Sequence, residues 1–204
     1  EAGRGPLLGP LVLCGILIDE KYIDSVLADA RDSKVLTPKK REMLYTRFSQ
    51  LSYKLVIVLP SEIDVAVDSE TTNLNWLEAE KTAQIINFFK PKKAFVDCPS
   101  PNIDNYRDYL LLCLKDKSLD LILGHKMESK SKVVAAASII AKVIRDREIE
   151  KLRKKYGNFG SGYPADPVTK RFLEKNWKKY PELFRRSWSS WKKYAFKEKQ
   201  ETLK

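Results

Sequence analysis

The chain is poor in several things at once: long apolar runs, cysteine, histidine, internal repeats and, toward its end, acid. The longest apolar stretch, Leu7–Ile18, is broken by Gly9, Pro10 and Gly15 and gives way to Asp19-Glu20 without a small-residue cleavage pattern. A bilayer span needs about 20 apolar residues, so a membrane helix is excluded and a buried strand fits better than a signal peptide. The three cysteines, Cys14, Cys98 and Cys113, are odd in number and share no metal-like spacing. That argues against a disulfide scaffold or a zinc ribbon and for a reducing, cytoplasmic setting. His125 is the only histidine. A general-base or ligand role competes there with the plainer reading, a polar residue closing a strand. No repeat and no low-complexity tract interrupts the chain.

Acid is scarce only in the last quarter. Residues 151–204 carry 16 Lys+Arg against 5 Asp+Glu, whereas residues 1–150 carry 22 of each, so the whole net charge of +11 sits at the end. A balanced core with a basic end points to a polyanionic partner, nucleic acid first. A solvated lysine surface is the other reading. With 43% apolar residues in 204, the chain has enough to bury a core as one large domain or a core with an appendage.

Periodicity organises the rest. Leu11–Ile18 and "YKLVIVLP" (53–60) read as strands, as do "KKAFVDCP" (92–99) and "LDLILGHK" (119–126). Thr37-Pro38 reads as an N-cap followed by proline at the first helical position, opening a helix to about Gln50. Apolar residues at helical spacing predict helices over 73–89, 103–115 and 131–156, the last closed by Gly157. A glycine- and proline-rich loop, "GNFGSGYPADP", then leads to short, basic, tryptophan-bearing helices. Strand–helix alternation of this kind predicts an α/β domain with a mixed sheet.

Three acids attract attention. Asp97 ends a predicted strand, Glu128 follows the next one, and Glu1 enters the first turn. If those strands are neighbours, the carboxylates converge at one edge, where mutual repulsion is relieved by a hard divalent cation with oxygen ligands. Two such ions can activate a water and stabilise the leaving oxygen in phosphodiester hydrolysis. Against this stand the 27 acids scattered along the chain. Gly3-Arg4-Gly5 could let backbone N–H groups approach a ligand, with Arg4 on a phosphate, or could be only a tight turn. Tyr163, held between Gly162 and Pro164, is either a stacking aromatic or a packed loop anchor.

The blocks "EAGRGPLLGPLV", "DSKVLTPKKRE", "FVDCPS", "GHKMESKSKVVAAASIIAKVIRDR" and "YGNFGSGYPADPVTKRFL" occur in order over nearly the whole chain. Together they resemble type 2 ribonuclease H (ribonuclease HII), in an archaeal or eukaryotic-like form. The resemblance implies the ribonuclease H-like α/β fold: a five-stranded mixed sheet flanked by helices, with a C-terminal helical extension. Its implied division is a catalytic core at 1–156 and a basic substrate-binding extension at 157–204. It implies metal-dependent cleavage of the RNA strand of RNA–DNA hybrids, and of single ribonucleotides embedded in DNA, leaving a 5′-phosphate. A catalytically weakened hybrid-binding protein on the same fold is the alternative. The implied cofactor is Mg²⁺ or Mn²⁺, the partner is the hybrid duplex, no membrane is involved, and the chain acts as a monomer.

Residue by residue, the resemblance implies that Glu1, Asp97 and Glu128 are catalytic acids and metal ligands. Gly3, Arg4 and Gly5 sense the ribose 2′-hydroxyl, and Tyr163 stacks on the deoxyribose beyond the junction, so that RNA is told from DNA. It also implies an aspartate immediately before Glu1 and a central strand leading into it. On that expectation the sequence continues upstream, the first central strand is truncated here, and 204 residues alone are nearly inactive. Glu128 stands where the family pattern has Asp, and Met127 and Lys132 replace its Ala and Pro.

Overall fold

The fold was analysed in a computed structural model that describes residues 1–202, with side chains to residue 196. The last two residues of the expected 157–204 extension lie outside the described residues. In chain order come β1 (Leu11–Leu17), α1 (Ile23–Val26), α2 (Pro38–Phe48), β2 (Ser52–Val58), α3 (Pro60–Val67), α4 (Leu74–Phe89), β3 (Lys93–Asp97), α5 (Ile103–Cys113), β4 (Asp120–Gly124), α6 (Lys132–Tyr156), α7 (Pro167–Asn176) and α8 (Ser189–Thr202). The architecture is mixed α/β. Thr37 caps α2 as its sequence predicts, its Oγ1 accepting from the Lys40 N–H at 3.3 Å. Gly157 closes α6 at φ +90°, donating to the Arg153 carbonyl at 2.8 Å.

Internal contacts divide the chain into two compact units, each assembled from several stretches. The first comprises Glu1–Ala2, Val12–Val56 and Leu74–Ile144; the second comprises Gly3–Leu11, Ile57–Asn73 and Arg145–Lys204.

In the first unit, β1 pairs with β2 in one two-stranded sheet, and β3 pairs with β4 in another. The β3–β4 pairing is parallel, in register from Lys93 opposite Asp120 to Asp97 opposite Gly124. The first half of α6 is small and apolar, and Ala135, Ala136, Ile139 and Ile140 bury against Leu27, Leu44 and Phe48, with Cys14 and Ile16 of β1 packed alongside. Gly15 lets α4 come close to β1: a Cβ there would lie 2.3 Å from Ile85 Cγ2.

The five-stranded sheet that the resemblance implies is not what the described residues form. Their four strands make two separate pairs, and a cavity of about 240 Å³ is lined by Leu13 through Ile18 on one side and Lys93 through Asp97 on the other. Consecutive strand residues point to alternate faces. A surface lined by an unbroken run is therefore the strand's backbone edge, so β1 and β3 both present an edge to this cavity. Backbone hydrogen bonds reach about 3 Å, and neighbouring strands lie about 4.8 Å apart. Two edges facing each other across such a cavity cannot pair directly.

In the second unit, Leu7, Leu8, Ile149, Phe159, Phe172, Leu173, Leu183 and Phe184 form the core. Trp177, Trp188 and Trp191 pack partly against it. Most of their area is buried there. The loop between α6 and α7 is tied by Asp166, which accepts from the Ser161 N–H at 2.6 Å and, as N-cap of α7, from the Val168 N–H at 2.8 Å. These bonds, that from Ser161 foremost, hold its carboxyl down to about 2.

Candidate active site

Asp97 closes β3, and the chain after β4 turns back to meet it. Lys126 takes a left-handed conformation (φ 56°), unusual for a residue with a Cβ. The turn brings the Met127 N–H to Asp97 Oδ1 at 2.8 Å and starts the 3-10 turn Met127–Ser129 that carries Glu128. Burial raises the Asp97 carboxyl above its ordinary value; the Met127 bond opposes this, and the charges of Glu128 and Glu1 push it further up. Asp97 thus sits in the field of both other predicted acids. Glu1 is exposed and lines the same cavity as Asp97. It is fixed by Ala2, which exchanges two backbone hydrogen bonds of 2.9 Å with Val12 in an antiparallel bridge.

Glu128 is nearly buried, its side chain 11% exposed. Its Oε1 accepts from Lys34 Nζ at 3.2 Å, whereas its Oε2 is buried without a hydrogen-bond partner. Burial pulls this carboxyl upward, but the hydrogen bonds from its own backbone and from Lys34 outweigh that and lower it. Among the described residues, no three His, Cys, Asp or Glu side chains stand together closely enough to hold a metal ion. The three acids share an electrostatic neighbourhood without forming a closed ligand set.

The Gly-Arg-Gly loop and Tyr163 belong to the second unit, and there they meet. A Cβ on Gly5 would lie 3.5 Å from Tyr163 Cε1, and Tyr163 is 46% exposed. Gly3 adopts φ +87°, and a Cβ there would come within 2.7 Å of the Pro10 carbonyl oxygen, so only glycine fits. The Leu7 N–H donates to the Gly162 carbonyl at 2.7 Å, and the Arg185 N–H to the Leu7 carbonyl at 2.9 Å. His125 has a plain role: its Nδ1 lies 3.1 Å from the Cys98 carbonyl oxygen. A carbonyl only accepts, so Nδ1 carries the proton.

The mixed α/β scaffold is that of the ribonuclease H-like class. Comparison with known proteins narrows this. The chain belongs to the ribonuclease HII family, whose model matches residues 1–191. It is 42% identical over 200 residues to ribonuclease HII of Pyrococcus furiosus, covering 95% of this chain and 88% of that one. Its fold matches the crystal structure of ribonuclease H2 from Pyrococcus horikoshii OT3 with a TM-score of 0.85 at 44% identity, covering 96% and 94% of the two chains. It also matches ribonuclease HII in the PCNA:RNase HII complex from Archaeoglobus fulgidus, with a TM-score of 0.79 at 34% identity, covering 94% and 91%. Membership makes the chain a type 2 ribonuclease H, a phosphodiester hydrolase.

Three residues near these groups carry no role in the sequence reading. Lys34 lies within a quoted family block, but its partner is 94 residues away. It is aimed by Asp32, whose Oδ1 accepts from the Lys34 N–H at 2.9 Å. Glu78 of α4, 1% exposed, lines the cavity with Glu1 and Asp97. It falls four residues after Leu74, on the apolar stripe, and that was the available signal. Arg185 reads as one more charge of the basic end, yet it is fully buried.

The Lys34 contact is testable by itself. K34M removes the cation and hydrogen bond that hold the Glu128 carboxyl down, leaving burial as the main influence. The Glu128 titration followed by carboxyl ¹³C NMR should then move up. A titration unchanged from wild type would show that the ion pair does not form in solution.

Proposed function

We propose that this chain is a metal-dependent endoribonuclease that cleaves the RNA strand of RNA–DNA hybrids and single ribonucleotides embedded in DNA, leaving a 5′-phosphate. The observation that carries the reading is Asp97, a half-buried carboxylate whose charge is opposed by two others, Glu1 and Glu128. Burial and those charges disfavour its ionised form, and a bound cation would favour it. The buried, unpartnered Oε2 of Glu128 asks for the same thing. Oxygen donors suit Mg²⁺ or Mn²⁺, and Glu1, Asp97 and Glu128 are the residues that would hold such ions. Bound there, the ions supply neutralisation of charge at the phosphate and a more acidic water.

This chain's own residues do the selecting. The Gly3–Gly5 backbone contacts the ribose 2′-hydroxyl, Arg4 pairs with a phosphate, and Tyr163 stacks on the following deoxyribose. The basic extension at 157–204 follows the duplex backbone, Lys170, Arg171, Lys175 and Lys179 being exposed along it. The three cysteines are free and no helix among the described residues is long and apolar enough to cross a membrane, which supports a cytoplasmic setting. The chain acts as a monomer.

The test is cleavage of a duplex with one embedded ribonucleotide, in Mg²⁺ and in Mn²⁺, against an all-DNA duplex. It is run on the chain as given and on a form with one aspartate added ahead of Glu1, the position where the resemblance places a further ligand. The expected product ends in a 5′-phosphate at the ribonucleotide, and the added aspartate raises the rate. Tight binding without cutting in either metal, in both forms, would favour the second reading, a hybrid-binding protein. That reading has its own support: Glu128 stands in place of Asp, and Lys34 already occupies one of its oxygens.

A further inference from the structure

Arg185 is fully buried, and its guanidinium is spent on backbone carbonyls of one distant loop. Nη2 donates to the Gly3 oxygen at 2.5 Å and to the Gly9 oxygen at 3.1 Å; Nη1 donates to the Arg4 oxygen at 2.5 Å; Nε donates to the Gly9 oxygen at 3.3 Å. Trp188, whose ring lies 5.1 Å from the Arg185 guanidinium carbon, donates its indole N–H to the Gly5 oxygen at 3.3 Å. The three consecutive carbonyls of Gly3, Arg4 and Gly5 are therefore all held by the Arg185–Trp188 segment. That segment is anchored in turn. The buried Asp64 of α3 accepts from the Arg186 N–H and the Ser187 N–H, each at 2.9 Å, and from the Ser187 hydroxyl at 2.6 Å.

Peptide geometry gives this clamp a direction. No peptide bond among the described residues is cis, and in a trans peptide the C=O and the following N–H point opposite ways. Fixing the Gly3 carbonyl on Arg185 aims the Arg4 N–H away from it, and fixing the Arg4 carbonyl aims the Gly5 N–H likewise. The Gly5 and Gly9 carbonyls belong to bonds with Pro6 and Pro10, which have no N–H to aim. Within the clamped run, the Arg4 and Gly5 N–H groups therefore point away from the Arg185 guanidinium. Adjacent outward N–H groups bind anionic or hydroxyl oxygens.

We propose that Arg185 is a positioning residue, which with Trp188 sets the aim of the Arg4 and Gly5 N–H groups toward the sugar-phosphate of a ribonucleotide. The proposal rests on the reading of Gly3–Gly5 as the ribose sensor. A guanidinium is required because its planar fork reaches several carbonyls at once. An ammonium is a point charge and cannot span residues 3, 4 and 9.

The test compares wild type, R185K and W188F in two ways. The first is the ratio of affinities for a duplex with one embedded ribonucleotide and for the same duplex in DNA. The second is hydrogen exchange of residues 3–9 followed by mass spectrometry. In R185K the ratio should fall about tenfold, the equivalent of one or two misaimed hydrogen bonds, while affinity for all-DNA duplex stays within about threefold. General loosening of the protein would lower both affinities together. Exchange at residues 3–9 should speed up about tenfold. W188F, which loses a single exposed hydrogen bond, should lower the ratio about threefold and carries the test if R185K does not fold. An unchanged ratio in the folded variants overturns the proposal. If wild type itself shows no preference for the ribonucleotide, the sensor reading fails. The clamp is then judged by exchange alone, and an unaltered rate at residues 3–9 in R185K, or in W188F should R185K not fold, overturns it.

Discussion

D97N should abolish cleavage, by about a thousandfold or more, and should raise rather than lower the melting temperature of the metal-free protein. The loss follows from the role proposed for Asp97. A carboxylate that organises cations at a phosphate contributes several kcal/mol to the transition state, and about 4 kcal/mol is a thousandfold in rate. The gain in stability follows from the environment. The Asp97 carboxyl titrates above its ordinary value because it is partly buried and faces Glu128 and Glu1. A carboxyl whose pKa is higher in the folded than in the unfolded state favours folding while protonated and loses that contribution as pH rises through the folded value. Asparagine keeps the amide oxygen that accepts from the Met127 N–H but has no charge to lose. The melting temperature of D97N minus that of wild type should therefore be near zero at pH 4 and positive at pH 8 in EDTA. Saturating Mn²⁺ should reverse the sign, because only wild type is stabilised by a ligand that it binds well in the folded state. Thermal melts at the two pH values, with and without metal, check all three statements. A variant less stable than wild type at pH 8 in EDTA would mean that Asp97 is a structural hydrogen-bonding residue. Wild-type cleavage rates in D97N would remove it from the chemistry.

What could be read from the chain, and what could not, divides by distance along it. The cap at Thr37, the small apolar half of α6 and its stop at Gly157 are local facts, set by residues within a turn or two of one another. Helix α3 was missed because Leu59-Pro60 reads as the end of a strand, and the same proline is also a good first residue of a helix. Asp97 was legible from its place after "AFV", and its neighbours Glu1 and Glu128 from the family blocks. Their environments were not. Nothing in the residues around position 128 says that Lys34 lies on one of its oxygens and nothing on the other. Arg185 is the extreme case, since counting charge assigns it to solvent and to phosphates, whereas its acceptors lie 176 to 182 residues away. A buried arginine among basic neighbours has no periodic signature, because its partners are carbonyls, which every residue carries. The strands were visible one by one from β-branched runs. Their arrangement in two separate pairs depends on which edges find partners, and that is a property of the whole unit.

Those edges lead to the second large effect. A segment of about six strand-forming residues grafted ahead of Glu1, such as Thr-Val-Ile-Val-Val-Asp, should raise the melting temperature by about 10 °C. The antiparallel bridge between Ala2 and Val12 sets the direction: chain added before Glu1 runs on along β1, past Leu13 and Cys14, into the cavity. There it can pair with the edge of β1 on one side and that of β3 on the other. Each new ladder hydrogen bond is worth about 1 kcal/mol net and each buried Val or Ile about 2 kcal/mol, while ordering each residue costs about 1–2 kcal/mol. Pairing on two edges at once tips this balance by about 3 kcal/mol, because each ordered residue forms bonds on both sides. In a chain of this size that corresponds to roughly 6–12 °C. A Gly-Ser segment of equal length has the backbone to pair but neither the strand propensity nor the apolar surface, and should gain little. Alternating proline should gain nothing, since it lacks the N–H groups that the ladder needs. Equal melting temperatures for the Val-rich and Gly-Ser forms would mean that the two sheets are not open to a strand at that place. A rise confined to the Val-rich form, with slowed hydrogen exchange in β1 and β3, would show the two pairs joined into one sheet.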